Sequence, residues 1–194
     1  MKNYNIVEYW NKRKNPCSTI IEEFTKHHLN FLKKQVVDCK KILDFGPGYG
    51  RLFEAYKNSN SVVGIDVTNQ HENSLKDTAK KHGFDFELFL RTDNFSKIDY
   101  PDKFFDAVVT IEVLFHQTPD VIEFLMKELL RVSKKVIAVT GMNLANKFDN
   151  LKNYKPSNKY CFTYDYYKIC KNNNWKIHNE ERLKTQLMFI YEEE

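Results

Sequence analysis

Between residues 42 and 51 the chain reads Ile42-Leu43-Asp44-Phe45-Gly46-Pro47-Gly48-Tyr49-Gly50-Arg51. A short apolar run, preceded by Lys40 and Lys41, stops abruptly at alternating glycines, and no other stretch constrains the fold as much. An apolar run of about four to eight residues bounded by turn residues reads as a strand buried on both faces, the signature of a parallel sheet. Parallel strands require crossover connections, usually helices. One glycine is enough for a plain strand-to-helix turn. Three at alternating positions let backbone pass close to a ligand in conformations closed to residues with a Cβ. In open α/β sheets that point, beyond the carboxyl ends of the strands, is where ligands bind.

The remaining chain keeps the alternation. Residues 4–14 (YNIVEYWNKRK) and 19–36 (TIIEEFTKHHLNFLKKQV) read as amphipathic helices. In the second, Ile20, Phe24, His27 or His28, and Phe31 recur at helical spacing, with Ser18 or Thr19 as cap and Glu22 as capping-box partner. Strands are expected at 40–46, 61–67, 84–90, 105–115 and 134–141. Helices are expected at 50–58, at 71–82 closed by Gly83, and at 119–133 with Pro119 and Asp120 in the first turn. The run FDAVVTIEVLF (105–115) is the longest and belongs at the sheet centre. Residues 143–160 are polar and rich in Asn and Lys. A helix capped by Thr163, with Asp165 in its first turn, follows, and WKIHNEER and KTQLMFIYEE close the chain as an antiparallel hairpin. The expected fold class is α/β: a doubly wound sheet, mostly parallel, with an antiparallel terminal strand.

With 194 residues the chain is sized for one domain, 1–194, in which helices over 1–38 form a cap and 40–194 the core. Hydrophobic residues at 42% and charged ones at 29% exclude disorder. No apolar stretch approaches the roughly 18 residues of a membrane span, and MKNYNIVEYWNKRKN has no secretory run, so a cytoplasmic protein without membrane partners is expected. The net charge of +4 does not by itself imply nucleic acid but leaves an anionic partner open. Arginines are few (Arg13, Arg51, Arg91, Arg131, Arg182). The cysteines Cys17, Cys39, Cys161 and Cys170 form no C-x-x-C pair and the histidines are dispersed apart from His27–His28, so no metal site is expected.

Three ligand classes compete for the glycine turn. A phosphate-cradling P-loop needs Lys-Ser/Thr after the last glycine, where Arg51-Leu52 stands. The dinucleotide fingerprint G-x-G-x-x-G fails at its third position, again Arg51. The spacing G-x-G-x-G preceded by an acid instead resembles motif I of the class I S-adenosylmethionine-dependent methyltransferases, whose Rossmann-like seven-stranded sheet matches the expected elements over most of the chain.

The resemblance implies a set of roles. Asp44, Gly46, Gly48 and Gly50 match the loop that wraps the methionine and ribose portions of S-adenosylmethionine. Asp66, 22 residues after Asp44 at the end of the second strand, matches the acid that binds both ribose hydroxyls, and Val67 offers adenine an apolar face. A carboxylate suits a vicinal diol because it accepts two hydrogen bonds. Asp93, with Asn94 beside it, stands where the family places a partner for the adenine amino group; a surface turn is the competing reading. The segment IEVLFHQ (111–117) resembles a family stretch in which Glu112 lies by the cofactor's ammonium and His116 faces the acceptor. The leading VEYWNKR places Tyr9, Trp10 or Arg13 over the methionine carboxylate, unless Trp10 is only a core anchor. Pro47 departs from the usual small or polar residue, without removing a glycine.

The expected reaction is methyl transfer to an oxygen or nitrogen, leaving S-adenosylhomocysteine, with His116 as the candidate base; packing or a backbone hydrogen bond is the bland alternative for it. The N/D-P-P-Y/F tetrapeptide of base-amino methylating enzymes is absent, and no cysteine is expected near the fourth strand. A small molecule is therefore the expected acceptor and nucleic acid is not. The family builds part of its acceptor pocket at 142–161. Here that segment carries Lys147, Lys152, Lys155 and Lys159 among Phe148, Tyr154 and Tyr160, either a lid for an anionic acceptor or a solvated loop. Alternatives from other classes are a methyltransferase of RNA or protein, an NAD-binding oxidoreductase, and a non-catalytic cofactor-binding module. The sequence is silent on oligomeric state.

Overall fold

The computed structural model describes residues 5–12, 22–91, 97–141, 161–183 and 186–194. Seven strands form one sheet in the order β3-β2-β1-β4-β5-β7-β6. They are β1 (Lys41–Phe45), β2 (Ser61–Asp66), β3 (Asp85–Leu90), β4 (Ala107–Ile111), β5 (Val136–Gly141), β6 (Trp175–Leu183) and β7 (Gln186–Glu193). The first five run parallel, and β7 runs antiparallel to both β5 and β6. This is the doubly wound, Rossmann-like α/β sheet expected, with β4 at its centre. The terminal hairpin also forms, with its antiparallel strand β7 inserted between β5 and β6, which occupies the edge.

Alternation along each strand builds two cores. Leu43, Phe45, Val108, Val136, Ala138, Phe189 and Tyr191 face α4 (Ile122–Arg131) and α5 (Tyr166–Asn172). Ile42, Val62, Val109, Ile137, Val139 and Met188 face α2 (Glu22–Gln35), α3 (Glu72–His82) and a 3₁₀ turn at Phe53–Tyr56. In α4 the fully buried Leu125, Met126 and Leu129 recur at helical spacing, each burial stabilising by about 1.5–3 kcal/mol. Gly83 closes α3 in the left-handed region (φ +83°), as the sequence predicts.

Four expectations change. The helix expected over 50–58 is only that single 3₁₀ turn, with bonds from Phe53 N–H to Gly50 and Ala55 N–H to Leu52. Phe53, Ala55 and Tyr56 are all buried there, and Ser59 then donates to the Cys39 carbonyl (2.8 Å), turning the chain straight into β2. The fourth strand ends at Ile111 instead of 115, because Glu112 takes φ +63° and Leu114–His116 coils into a 3₁₀ turn. The helix expected from 119 starts at Ile122, after Pro119 and Asp120. The cap of α5 is Asp165, whose carboxylate accepts from Lys168 N–H (2.9 Å), rather than Thr163.

The leading helix α1 (Ile6–Asn11) is capped by Asn5, which accepts from Glu8 N–H at 3.0 Å. It lies at the carboxyl edge of the sheet, where Gln70 donates to the Asn11 carbonyl (2.8 Å). By contrast, α2 buries His28, Phe31 and Leu32 and is a layer of the core. The Ser18 and Thr19 caps, and the acceptor segment 142–160, lie outside the described residues.

Candidate functional site

The site starts where β1 ends. Gly46 N–H donates to the Ile65 carbonyl of β2 (2.8 Å), tying the turn to the neighbouring strand. Gly46 has φ +81°, and a Cβ there would fall 2.4 Å from Val113 Cγ2, so this glycine is required by packing. Gly48 differs. At φ +58° a Cβ would meet no described atom within 4 Å, so its bare backbone faces open volume. Gly50 closes the turn, its N–H donating to the Pro47 carbonyl at 3.0 Å.

Three carboxylates converge on this edge. Asp44 is buried and accepts from the Tyr56 hydroxyl (2.8 Å). Burial raises its pKa to about 7; the Tyr56 bond opposes this, Asp66 adds to it, and Arg51 offsets part of it. Asp66 accepts from the N–H groups of Gly48 (3.3 Å), Val67 (2.7 Å) and Thr68 (3.3 Å). Burial raises it too, against those backbone donors. Val67 is half-buried beside it. Glu112 hangs from the end of β4 with its N–H on the Val139 carbonyl (2.7 Å), and burial raises its carboxyl to about 7, opposed by Arg51.

His116 is buried in the 3₁₀ turn after Glu112. The Trp10 ring of α1 meets it edge-on with centroids 5.0 Å apart, and Tyr9 lies 6.4 Å away. The structure thus brings together Tyr9, Trp10, Asp44, Gly46, Gly48, Gly50, Asp66, Val67, Glu112 and His116. Arg13, Asp93 and Asn94 lie outside the described residues. A cysteine does sit beside this segment, contrary to expectation: Cys161 Sγ is 3.9 Å from His116 Nδ1. Chain separation hid it, since 45 residues divide the two, and Phe162 N–H returns the chain to the Phe115 carbonyl (2.7 Å).

Further groups escaped the sequence reading. Arg51, which served there only to exclude P-loop and dinucleotide sites, reaches α2 and meets His28 Nδ1 (3.1 Å) and Thr25 Oγ1 (3.4 Å). His28 Nε2 bonds Gln186 Oε1 (2.7 Å), and Gln186 Nε2 donates to Glu112 Oε1 (3.1 Å). A histidine in the apolar stripe of α2 was the available signal. Among the described residues His71 Nε2 is buried without a hydrogen-bond partner, its ring 6.3 Å from Tyr49.

This donor set fits a ligand with a diol and positive charge. Carboxylates withdrawn from water are costly without a counter-charge, and here one buried and two half-buried ones cluster around backbone bared at Gly48. S-Adenosylmethionine carries a sulfonium, an ammonium and a ribose diol. A helix-start phosphate site is not formed after Gly50, because the turn there is a single 3₁₀ turn.

Residues 42–136 match the family model described as a methyltransferase domain. A sterol 24-C-methyltransferase, erg6, of Aspergillus fumigatus is 30% identical over 130 residues, covering 63% of this chain and 34% of that protein. The chain therefore spans about a third of that relative's length. Magnesium protoporphyrin IX methyltransferase from Synechocystis PCC 6803, solved with bound S-adenosylmethionine, superposes with a TM-score of 0.62 at 14% identity, covering 89% of this chain and 79% of that one. The 4+2 cyclase SpnF superposes at 0.71 and 14% identity, covering 93% and 85%. The matched domain begins on the strand that carries Asp44 and takes in every glycine of the turn, Asp66, Glu112 and His116, so this stretch of the chain is a methyltransferase domain, on the fold that a solved S-adenosylmethionine-bound methyltransferase shares.

Proposed function

We propose that the protein transfers a methyl group from S-adenosylmethionine to an oxygen or nitrogen of a small polar or anionic metabolite, of phosphorylated, nucleotide-linked or sugar type, in the cytoplasm. Within this reading Asp66 accepts from both ribose hydroxyls, exchanging its bond from Gly48 N–H for theirs. Glu112 takes the ammonium, Asp44 supplies negative charge beside the glycine turn, Val67 flanks adenine, and Tyr9 and Trp10 cover the methionine end.

When bound, the cofactor supplies an activated methyl on a positively charged sulfur. What the chain must add is alignment, exclusion of water and an unprotonated nucleophile. Tyr9, Trp10 and Phe115 wall the site against water around the His116 ring. His116 accepts the proton of the acceptor's O–H or N–H as the nucleophile forms. A neutral imidazole has a lone pair on one ring nitrogen with which to take that proton.

The observation that carries this reading is a buried histidine held under two aromatic rings, four residues along from a half-buried glutamate on the same sheet edge. The names of the relatives support a small acceptor, since one acts on a sterol and another on a porphyrin. The test is incorporation of labelled methyl from S-adenosylmethionine into cell extract, split into acid-soluble metabolites and precipitated macromolecules. Label is expected in the soluble fraction. Label confined to RNA or protein overturns the assignment.

A further inference from the structure

The proposed ammonium partner, Glu112, stands at the end of a buried hydrogen-bond chain whose donors all run one way. Arg51 has only N–H groups to offer, so the His28 Nδ1 it meets at 3.1 Å is unprotonated and accepts. The neutral ring then carries its proton on Nε2 and donates it to Gln186 Oε1 at 2.7 Å. With its oxygen engaged, the Gln186 amide turns its NH₂ to Glu112 Oε1 at 3.1 Å. Burial holds the His28 pKa down to about 4, with Arg51 and His27 adding to the effect, so the ring stays neutral across the physiological range. His28 is 0% exposed and Gln186 7%.

Four distant parts of the chain meet in this relay: α2, the glycine turn, the first residue of β7, and the residue that ends β4. Gln186 lies opposite Gly141 in the β5–β7 register, so β7 carries its side chain to the carboxyl edge of the sheet. A glutamine whose amide is locked at its oxygen cannot rotate to present an acceptor to Glu112. Among the described residues no donor meets the other oxygen, Oε2. Glu112 is also held at φ +63°, a left-handed conformation that disfavours a residue with a Cβ and persists only where surroundings enforce it.

We propose that His28 and Gln186 are positioning residues for cofactor binding: the relay from Arg51 fixes the Gln186 amide so that Glu112 is held as an oriented carboxylate for the cofactor's ammonium group. This rests on the reading of Glu112 given above. Besides Gln186, the charged and titratable groups around Glu112 are Arg51 from the glycine turn and Tyr166 from α5, whose hydroxyl is raised in part by Glu112. His28 acts on it only through the amide.

The test is calorimetric binding of S-adenosylhomocysteine and of 5′-methylthioadenosine, which keeps the nucleoside and thioether but lacks the amino-acid end. Gln186→Glu is isosteric and still accepts from His28, but sets a second carboxylate against Glu112. Its affinity for S-adenosylhomocysteine should fall about tenfold at pH 7.5, with 5′-methylthioadenosine within twofold of wild type. At pH 6 the loss should shrink, because a proton shared by the two carboxyls restores the donor. His28→Phe, which keeps a ring against Phe24 (6.3 Å, nearly parallel planes), should show the same ligand selectivity at both pH values. Equal losses for both ligands, or no loss for either, overturn the relay. Glu112→Gln separates the layers. If it weakens S-adenosylhomocysteine while Gln186→Glu does not, the relay alone falls; if Glu112→Gln changes nothing, the ammonium reading falls.

Discussion

Raising the pH from 6 to 7.5 should tighten S-adenosylmethionine binding. In the ligand-free protein Asp44 and Glu112 are both raised to about 7, chiefly by burial. A cationic ligand favours their charged forms, so binding must drive off protons. A carboxyl with a pKa of about 7 is ionised to about 9% at pH 6 and about 76% at pH 7.5. One such group that must ionise gives about an eightfold gain in affinity, or about 1.3 kcal/mol; both together give about seventyfold. The relevant measurement is isothermal calorimetry in phosphate and in Tris at pH 7, where the two buffers take up protons with different heats. Between about half a proton and one proton should be released per ligand bound. 5′-Methylthioadenosine, lacking both sulfonium and ammonium, should show a smaller release. Affinity that stays within twofold from pH 6 to 7.5, with identical heats in both buffers, would refute the claim that the site is an anionic cluster only partly offset by Arg51.

Without ligand the same groups act on stability with the opposite sign. Between about pH 4 and 7 the folded carboxyls hold protons that the unfolded chain has released, so stability falls as pH rises through that window; Asp44→Asn should flatten the decline in melting temperature from pH 6 to 8. Asp66→Ala should abolish cofactor binding by calorimetry, and unchanged affinity would remove the ribose assignment. His116→Ala should lower turnover with cofactor affinity unchanged, whereas a wild-type rate would take it out of the chemistry. Gly48→Ala should fold at a cost of about 1–2 kcal/mol, since φ +58° strains an alanine but nothing described lies near the new methyl, yet lose cofactor affinity. Gly46→Ala should lose both, because its Cβ would strike Val113 at 2.4 Å. Leu129→Ala should cost about 2–5 kcal/mol of stability by chemical denaturation, with ligand-saturated activity retained while the chain is folded.

Much of this arrangement was legible because it is local. The strand-to-glycine transition at Phe45–Gly46 and the acid ending β2 are short-range patterns, and the long apolar run of β4 marked the middle of the sheet. What stayed hidden is long-range or conformational. Nothing near Glu112 in sequence says that it takes a left-handed turn and cuts β4 at Ile111. Gln186 reads as a polar residue opening a hydrophobic strand, and its meaning depends on α2, 158 residues away from it at His28. Arg51 looked like an obstacle because helix packing was expected after Gly50. The 3₁₀ turn that forms there instead leaves its side chain to cross to α2.

The position of β7 has a consequence for assembly. It is the last strand along the chain, yet Leu187, Met188, Phe189, Ile190 and Tyr191 are all but completely buried between β5 and β6. The β6–β7 hairpin can pair locally, but the edge of β5 stays open until β7 docks on it, and both hydrophobic layers draw side chains from that strand. Pairings of such long sequence separation fold slowly. The same insertion delivers Gln186, so the carboxyl edge of the sheet gains its last polar contact in the step that seals both cores.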